Sequence, residues 1–399
     1  MILHCLASSG TWPQDALDGG NRILIELSRR WSKKPGVKIV FHIYDKFQSF
    51  YRKHGLDQIE YSILPSLRLQ HANLFFFFLF RTLCNVFWAL TVKPVSSGQH
   101  YVYSSSDAWP DFWAGLILKL RFGKKIVWIA ALYLFVPFVL SKNSFHRGRG
   151  IIIFLRGFFY YLMQYPVKYL IKLQADMVFV TSEPDRDFFI TGKRPREKII
   201  VIRGGVDADT PRSLGNVPAE YDAVFIGRFH AQKGAVELID IWKKVCARKN
   251  GSRLAMIGAG PLETVIRKKI GEYNLEKNIS FFGFLDGIPK LEVFKKSRMV
   301  LHPAIYDSGG MAACEAMACG LPGVSFDLPA LKTYYPQGML KTACFDFEAF
   351  AANILRLLYD ETLYQKLSCE ALALVRENWD WNKRAEDIWN EVFKIKSPE

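Results

Sequence analysis

Two carboxylates eight positions apart, Asp307 and Glu315, bracket the glycines Gly309 and Gly310 in the stretch H-P-A-I-Y-D-S-G-G-M-A-A-C-E-A-M-A-C-G-L-P at 302–322. The apolar run ending at Val300 and Leu301 reads as a strand, the glycine pair as a turn, and 311–319 as a helix. A turn of this kind leaves the backbone N–H groups of Gly310, Met311 and Ala312 without intrahelical partners. An anion placed there gains hydrogen bonds and the favourable end of the helix dipole. Glu315 lies about one turn further in, placed to accept from sugar hydroxyls. The plainer reading of Gly-Gly before an Ala-rich helix is close packing of that helix on a sheet.

Cations complete the chemistry. The stretch Y-D-A-V-F-I-G-R-F-H-A-Q-K-G-A-V-E-L-I-D-I-W at 221–242 reads as an apolar strand, a loop carrying Arg228 and Lys233, and an amphipathic helix. A nucleoside diphosphate departs with developing negative charge, which fixed cations stabilise more in the transition state than in the substrate. Arg228 can fork two oxygens and Lys233 adds a point charge. Taken singly, each would be an ordinary solvated side chain. Together, after a strand and upstream of the acidic block, they read as a diphosphate clamp.

These blocks resemble the signature of retaining GT-B glycosyltransferases of family 4. That family places a Glu, seven other residues and a second Glu before Ala-Met-Ala-x-Gly-x-Pro. Here the frame is Asp307, seven residues, Glu315 and A-M-A-C-G-L-P, with the first carboxylate one methylene shorter. The 227–234 loop is similar to the family's Gly-Arg-x(4)-Lys-Gly. The resemblance implies that Asp307 contacts donor-sugar hydroxyls, that Gly310, Met311 and Ala312 hold the diphosphate, and that Glu315 meets the nucleotide ribose. It further implies that Phe284, in I-S-F-F-G-F-L, lines the base pocket, although an aromatic there also serves as core. Gly19 and Gly20, ahead of the first helix, match the turn that approaches the donor phosphate, and also read as a plain helix start. L-A-M-I-G-A-G-P at 254–261 matches a strand and glycine turn. One family feature is missing: where a sugar-side histidine is expected, the strand K-I-V-W-I-A-A-L-Y carries Ala130 and Ala131. His4, His42, His100 and His146 sit in no convincing motif, and Asp111 reads either as an acceptor-orienting group or as a helix cap.

Positioning such a site requires sheets. The 399 residues, 50% of them apolar, suffice for two cores. Alternating strand-like and helix-like runs predict an α/β protein of two Rossmann-like doubly wound domains. Ligands of such sheets bind beyond the strand C-termini, here in an interdomain cleft. The expected boundaries are an acceptor-binding domain at 1–207, a linker at 208–220, a nucleotide-sugar domain at 221–380, and a last helix at 381–399 returning to the first domain. The seven cysteines show neither metal-ligand spacing nor a paired framework, which predicts reduced thiols in a cytosolic setting. The N-terminus lacks a basic leader followed by a long apolar core, so no cleaved signal is expected.

Net charge is +15, and residues 1–215 hold 29 Lys and Arg against 15 Asp and Glu, leaving +14 on the first half. That asymmetry predicts an anionic acceptor or an anionic membrane surface. Segments near 74–88 and 133–162 mix aromatics with Arg and Lys as membrane-interface segments do. Arg81 interrupts the first and Pro137 with a basic turn the second, so lying on a bilayer is expected rather than crossing it. Ordinary sheet-covering helices are the competing account.

The resulting expectation is a metal-independent, cofactor-free hexosyltransferase at the cytosolic face of a membrane. It would take a nucleotide-sugar donor and a lipid-linked or other anionic acceptor. Competing expectations are a catalytically impaired nucleotide-sugar-binding protein, a transferase with a soluble acceptor, and a nucleotide-sugar epimerase. Nucleic-acid binding would account for the charge but not for the carboxylate and phosphate-loop blocks.

Overall fold

The computed structural model describes residues 1–9, 19–65, 74–93, 98–141, 151–215, 217–307 and 311–393. Two compact units emerge. One contains the described parts of Met1–Phe138, Ile151–Gly204 and the chain from Ala385 onward; the other contains the described parts of Val139–Gly150 and Gly205–Arg384.

The first unit is built on seven strands: β1 (Ile2–Leu6), β2 (Lys38–Ile43), β3 (Glu60–Ile63), β4 (His100–Ser104), β5 (Ile126–Ala131), β6 (Met177–Val180) and β7 (Ile199–Val201). They form one parallel sheet in the order β3-β2-β1-β4-β5-β6-β7. The central strands are near-continuous apolar runs, I-V-W-I-A-A in β5 and M-V-F-V in β6, because helices cover the sheet on both faces. The helices Leu74–Thr91, Trp109–Phe122 and Ile151–Gln174 share one core with the sheet through Ala89, Phe112, Leu116, Val167 and Ile171.

The second unit repeats the plan with six strands: β8 (Ala223–Ile226), β9 (Leu254–Ile257), β10 (Ile279–Gly283), β11 (Val300–His302), β12 (Gly323–Phe326) and β13 (Met339–Thr342). Their order is β10-β9-β8-β11-β12-β13, all parallel. The α/β, doubly wound class expected of a GT-B protein is therefore what the chain adopts. In both sheets the order reverses beside the first strand, between β1 and β4 and between β8 and β11. Loops diverge at such a point and open a crevice beyond the strand ends.

The C-terminal residues join the first unit through definite contacts. The buried Trp31 indole donates to the Ala385 carbonyl at 2.9 Å, and Trp389 and Phe393 pack edge-on against Trp31. Within the second unit Val206 N–H donates to the Trp379 carbonyl at 2.7 Å.

Asp111 has a different task from either role read in the sequence. It lies in the first turn of Trp109–Phe122, whose N-cap is Ala108, and is fully buried. Its carboxylate accepts from Ser8 N–H at 2.8 Å, Ser8 Oγ at 2.7 Å and Ser106 Oγ at 2.8 Å, with Ser9 Oγ also donating. Burial pushes the carboxyl up, and the serine and backbone donors pull against that rise. The group ties the end of β1 to the loop after β4. Asp111→Ala strands several buried donors and should lower unfolding stability by about 3 kcal/mol, read as a lower urea midpoint. An unchanged midpoint would refute the role.

Candidate functional site

Arg228 and Lys233 both follow β8, and Asp307 follows β11, the two neighbours at the switch point of the second sheet. The loop after β8 is anchored by Phe229, which is fully buried between them in sequence. Phe229 N–H donates to the Ala259 carbonyl at 2.9 Å, and Leu262 N–H donates to the Phe229 carbonyl at 3.1 Å. These bonds require the glycine turn after β9. A Cβ on Gly258, at φ +143°, would lie 2.0 Å from the Gly227 carbonyl oxygen, and one on Gly260 2.6 Å from that of Phe229. The I-G-A-G-P stretch is thus a backbone-to-backbone packing device that holds the Arg228 loop. Arg228 itself is solvent-exposed beside that anchor.

Lys233 is placed by a second weld. Gly234 takes the left-handed conformation at φ +66°, where an added Cβ would lie 1.9 Å from the Pro303 carbonyl oxygen. Ile305 N–H donates to the Gln232 carbonyl at 3.0 Å. With the two loops locked together, Lys233 Nζ reaches Asp307 Oδ2 at 2.7 Å. The carboxylate is buried at 4% side-chain exposure, while the ammonium keeps 25% and so still meets solvent.

His302, at the end of β11, places Nε2 3.5 Å from the same Asp307 oxygen. Burial alone would raise the Asp307 carboxyl, but Lys233 and His302 outweigh it and hold the group well below the usual carboxylate range. Burial lowers the His302 imidazole despite the neighbouring carboxylate. On β13, two strands across from β11, burial brings Lys341 down to about 8, and its ammonium donates to the Leu331 carbonyl at 2.8 Å.

The Met311–Ala318 helix begins where the sequence placed it, and its Met311 and Ala312 are part-exposed at the first turn. Gly310 lies outside the described residues. Cys314 N–H donates to the buried Tyr335 hydroxyl at 3.2 Å, so one first-turn donor is already used. Glu315 receives Lys290 Nζ at 3.0 Å, and Lys290 also donates to Asp286 at 2.7 Å. Lys290 is buried, which leaves its charge matched by two carboxylates rather than by water. Phe284 is 48% exposed just past β10, so it is no core residue. Gly19 and Gly20 open the helix Gly19–Trp31 of the first unit.

His4, His42 and His100 stand on β1, β2 and β4 as a hydrogen-bonded stack, with ring nitrogens 3.1 Å apart at both junctions. Burial brings His4 down to about 4 and His42 to about 3, so both are neutral at physiological pH. His4 is half-buried, and the three rings line a cavity on that face of the sheet together with Lys38, Glu60 and Trp88. His146 lies outside the described residues. Among the described residues, no group of three or more His, Cys, Asp or Glu converges as metal ligands do.

Sequence reasoning missed Lys290 and the part played by His302. His302 opens the 302–322 stretch with no spacing that marks it, and nothing in spacing links Lys290 to a carboxylate 25 positions downstream. The arrangement can receive an anion against Arg228, Lys233 and a helix start, with carboxylates flanking it for hydroxyl groups.

Two outcomes follow from the weld. Gly234→Ala should cost about 3 kcal/mol or more, because both the conformation and the carbonyl contact oppose a side chain. The Asp307 carboxyl titrates lower in the folded chain than in the unfolded one, so its stabilising contribution is complete above about pH 3.9 and is lost as pH falls through the lower folded value. Urea midpoints of the native chain should therefore drop more steeply below about pH 4 than those of Asp307→Asn. Parallel acid limbs would show that the pair contributes nothing.

Residues 207–372 match the family model described as Glycosyl transferases group 1. The chain is 25% identical over 235 residues to an uncharacterized glycosyltransferase of Methanocaldococcus jannaschii, covering 56% of this chain and 58% of that one. It is 25% identical over 190 residues to glycogen synthase of Mycobacterium tuberculosis, covering 46% of this chain and 45% of that one. It thus spans about half the length of the curated relatives it matches. Sucrose-phosphate synthase from Thermosynechococcus elongatus superposes with a TM-score of 0.72 at 19% identity, covering 98% of this chain and 99% of that one. Anabaena HepE in complex with UDP-glucose superposes with a TM-score of 0.69 at 16% identity, covering 99% and 100%. At these identities the structural likeness concerns the fold.

Proposed function

Through its second half the chain belongs to the glycosyl transferases group 1 family, and from that premise we propose that it moves a sugar, as a retaining hexosyltransferase, from a nucleotide-sugar donor to a lipid-linked acceptor at the cytosolic face of a membrane. The observation that carries the reading is the Lys233–Asp307 pair at 2.7 Å at the β8/β11 switch point, with Arg228 in the same loop as Lys233. A diphosphate-sugar presents phosphate charge and hydroxyl groups side by side, and this pair answers both.

In the proposed mechanism Arg228 forks two oxygens of the diphosphate and Lys233 supplies a point charge. An ammonium has three donors, so Lys233 bridges Asp307 and a phosphate oxygen at once. The Met311 and Ala312 N–H groups, with Gly310, receive the remaining phosphate oxygens at the helix start. Asp307 orients the donor sugar through its hydroxyls, and Glu315, fixed by Lys290, accepts from the ribose. Phe284 offers an aromatic surface to the base. As the sugar–phosphate bond lengthens, charge grows on the diphosphate and the two cations bind it more tightly than in the ground state. The acceptor hydroxyl then attacks from the face the leaving group vacates and passes its proton to the departing diphosphate oxygen, which retains configuration without a protein nucleophile or a metal ion. The lipid-linked acceptor is supported by the +14 charge on residues 1–215 together with their aromatic content.

Arg228→Ala and Lys233→Ala should each lower turnover by about 2 to 4 kcal/mol in barrier, on the scale of a lost oxyanion donor. Asp307→Glu should keep activity and Asp307→Asn lose most of it. Near-native rates in all of these would overturn the assignment. Donor identity is read by thermal shift against UDP, GDP and ADP sugars, where a ligand at about 100 times its Kd adds about 2.7 kcal/mol. A chain that responds to none of them binds no such donor.

A further inference from the structure

The helix Ile151–Gln174 is apolar on two opposite sides. Val167 and Ile171 are fully buried in the core of the first unit. Opposite them, Leu155, Leu162 and Leu173 are 55%, 52% and 70% exposed, with Ile151, Tyr165 and Tyr169 exposed on the same stripe. Spacings of three, four and seven residues put all six on one helical face. A contiguous apolar face on a soluble surface marks a contact site. The helix Leu74–Thr91, which joins the same core through Ala89, repeats the pattern with Phe76, Leu83, Phe87 and Leu90 exposed.

Charge identifies what covers this face. Neither helix contains a single Asp or Glu, and the charged residues of Ile151–Gln174 are Arg156, Lys168 and Lys172. Lys168 Nζ sits 4.9 Å from the Tyr165 ring centre and 5.3 Å from that of Tyr169, and Lys172 Nζ 4.7 Å from that of Phe188. Ammonium groups poised on aromatic rings beside aliphatic side chains suit a headgroup boundary, where apolar bodies sink and polar tips stay wet. A second copy of this chain docked face to face would oppose cation to cation. Phosphate-bearing lipids present the complementary sign. Among the described residues no helix is long and apolar enough to cross a membrane. A helix of this kind lies flat.

We propose that the outward face of Ile151–Gln174, together with that of Leu74–Thr91, both helices packing on Trp109–Phe122, docks the protein onto an anionic lipid bilayer. The proposal rests on the reading of a lipid-borne acceptor given above and assigns the surface that would bring the chain to it. Donor binding in solution does not depend on it, so the two can fail separately.

The test is flotation of the full chain with vesicles of phosphatidylcholine alone or mixed with phosphatidylglycerol. The native chain should float with the mixed vesicles, and added salt should weaken this. Leu155→Gln, Leu162→Gln and Leu173→Gln combined should lower the floated fraction by roughly tenfold or more. The three sites are exposed, so folding should be unaffected, as read by an unchanged thermal midpoint and an unchanged shift with nucleotide sugars. Val265→Gln, exposed in the second unit, is the control and should float like the native chain. Failure of the native chain to float, or equal flotation of the triple variant, overturns the proposal. Concentration-dependent self-association abolished by the same triple substitution, without flotation, overturns it in favour of a second copy. Flotation with no nucleotide-sugar shift leaves docking standing and removes the transferase reading instead.

Discussion

Everything chemical in the second unit depends on two loops being unable to move apart. Gly234 lets the backbone after β8 press against the Pro303 carbonyl after β11, and that approach brings the Lys233 ammonium onto the buried Asp307 carboxylate. A carboxylate at 4% exposure is costly to ionise without a partner, and a lysine at a loop end is costly to hold still without one. Each removes the other's penalty. The rest of the neighbourhood is arranged around the pair: His302 adds its edge to the same oxygen, and the Gly258 and Gly260 turn holds Arg228's loop at the adjacent strand end.

The pair also gives the site a definite resting state. On the proposed reading, an incoming phosphate need not create a cationic pocket by pulling a mobile lysine out of water, because the lysine is already in place. Preorganised charge of this kind acts without reorganisation when negative charge develops. Glu315 is treated similarly. Its partner Lys290 is shared with Asp286 and buried, so the carboxylate is oriented before any hydroxyl arrives.

Much of this was legible in the sequence where the physics is local. Strands such as β8 and β9 are short apolar runs ended by glycine, and the Met311–Ala318 helix follows a glycine pair, so period and punctuation placed them. The two α/β units followed from alternation over the whole length. What escaped is non-local. Asp111 gives no sign in its own segment that Ser8, more than a hundred positions upstream, will supply two of its donors. Lys290 looks like one more surface lysine beside Asp286 until the sheet brings Glu315 to its other side. The glycine pair at 258 and 260 reads in the sequence as a turn after a strand, whereas its physical job is to let the backbone at Gly227 and Phe229 come into contact. The helix face of Ile151–Gln174 is intermediate: its composition was evident, but only packing decides which of two apolar sides is left uncovered.

The return of the C-terminus to the first unit has a consequence for biogenesis. Trp31, an element of the opening helix, finds its hydrogen-bond acceptor at Ala385 and its aromatic neighbours at Trp389 and Phe393. The first unit is therefore sealed only after the second has been made, since its closing piece is translated after Gly205–Arg384. Until Ala385–Phe393 has emerged, the Trp31 indole and the edge of an apolar layer stay open to water, and the nascent chain carries that sticky seam while the second unit is made.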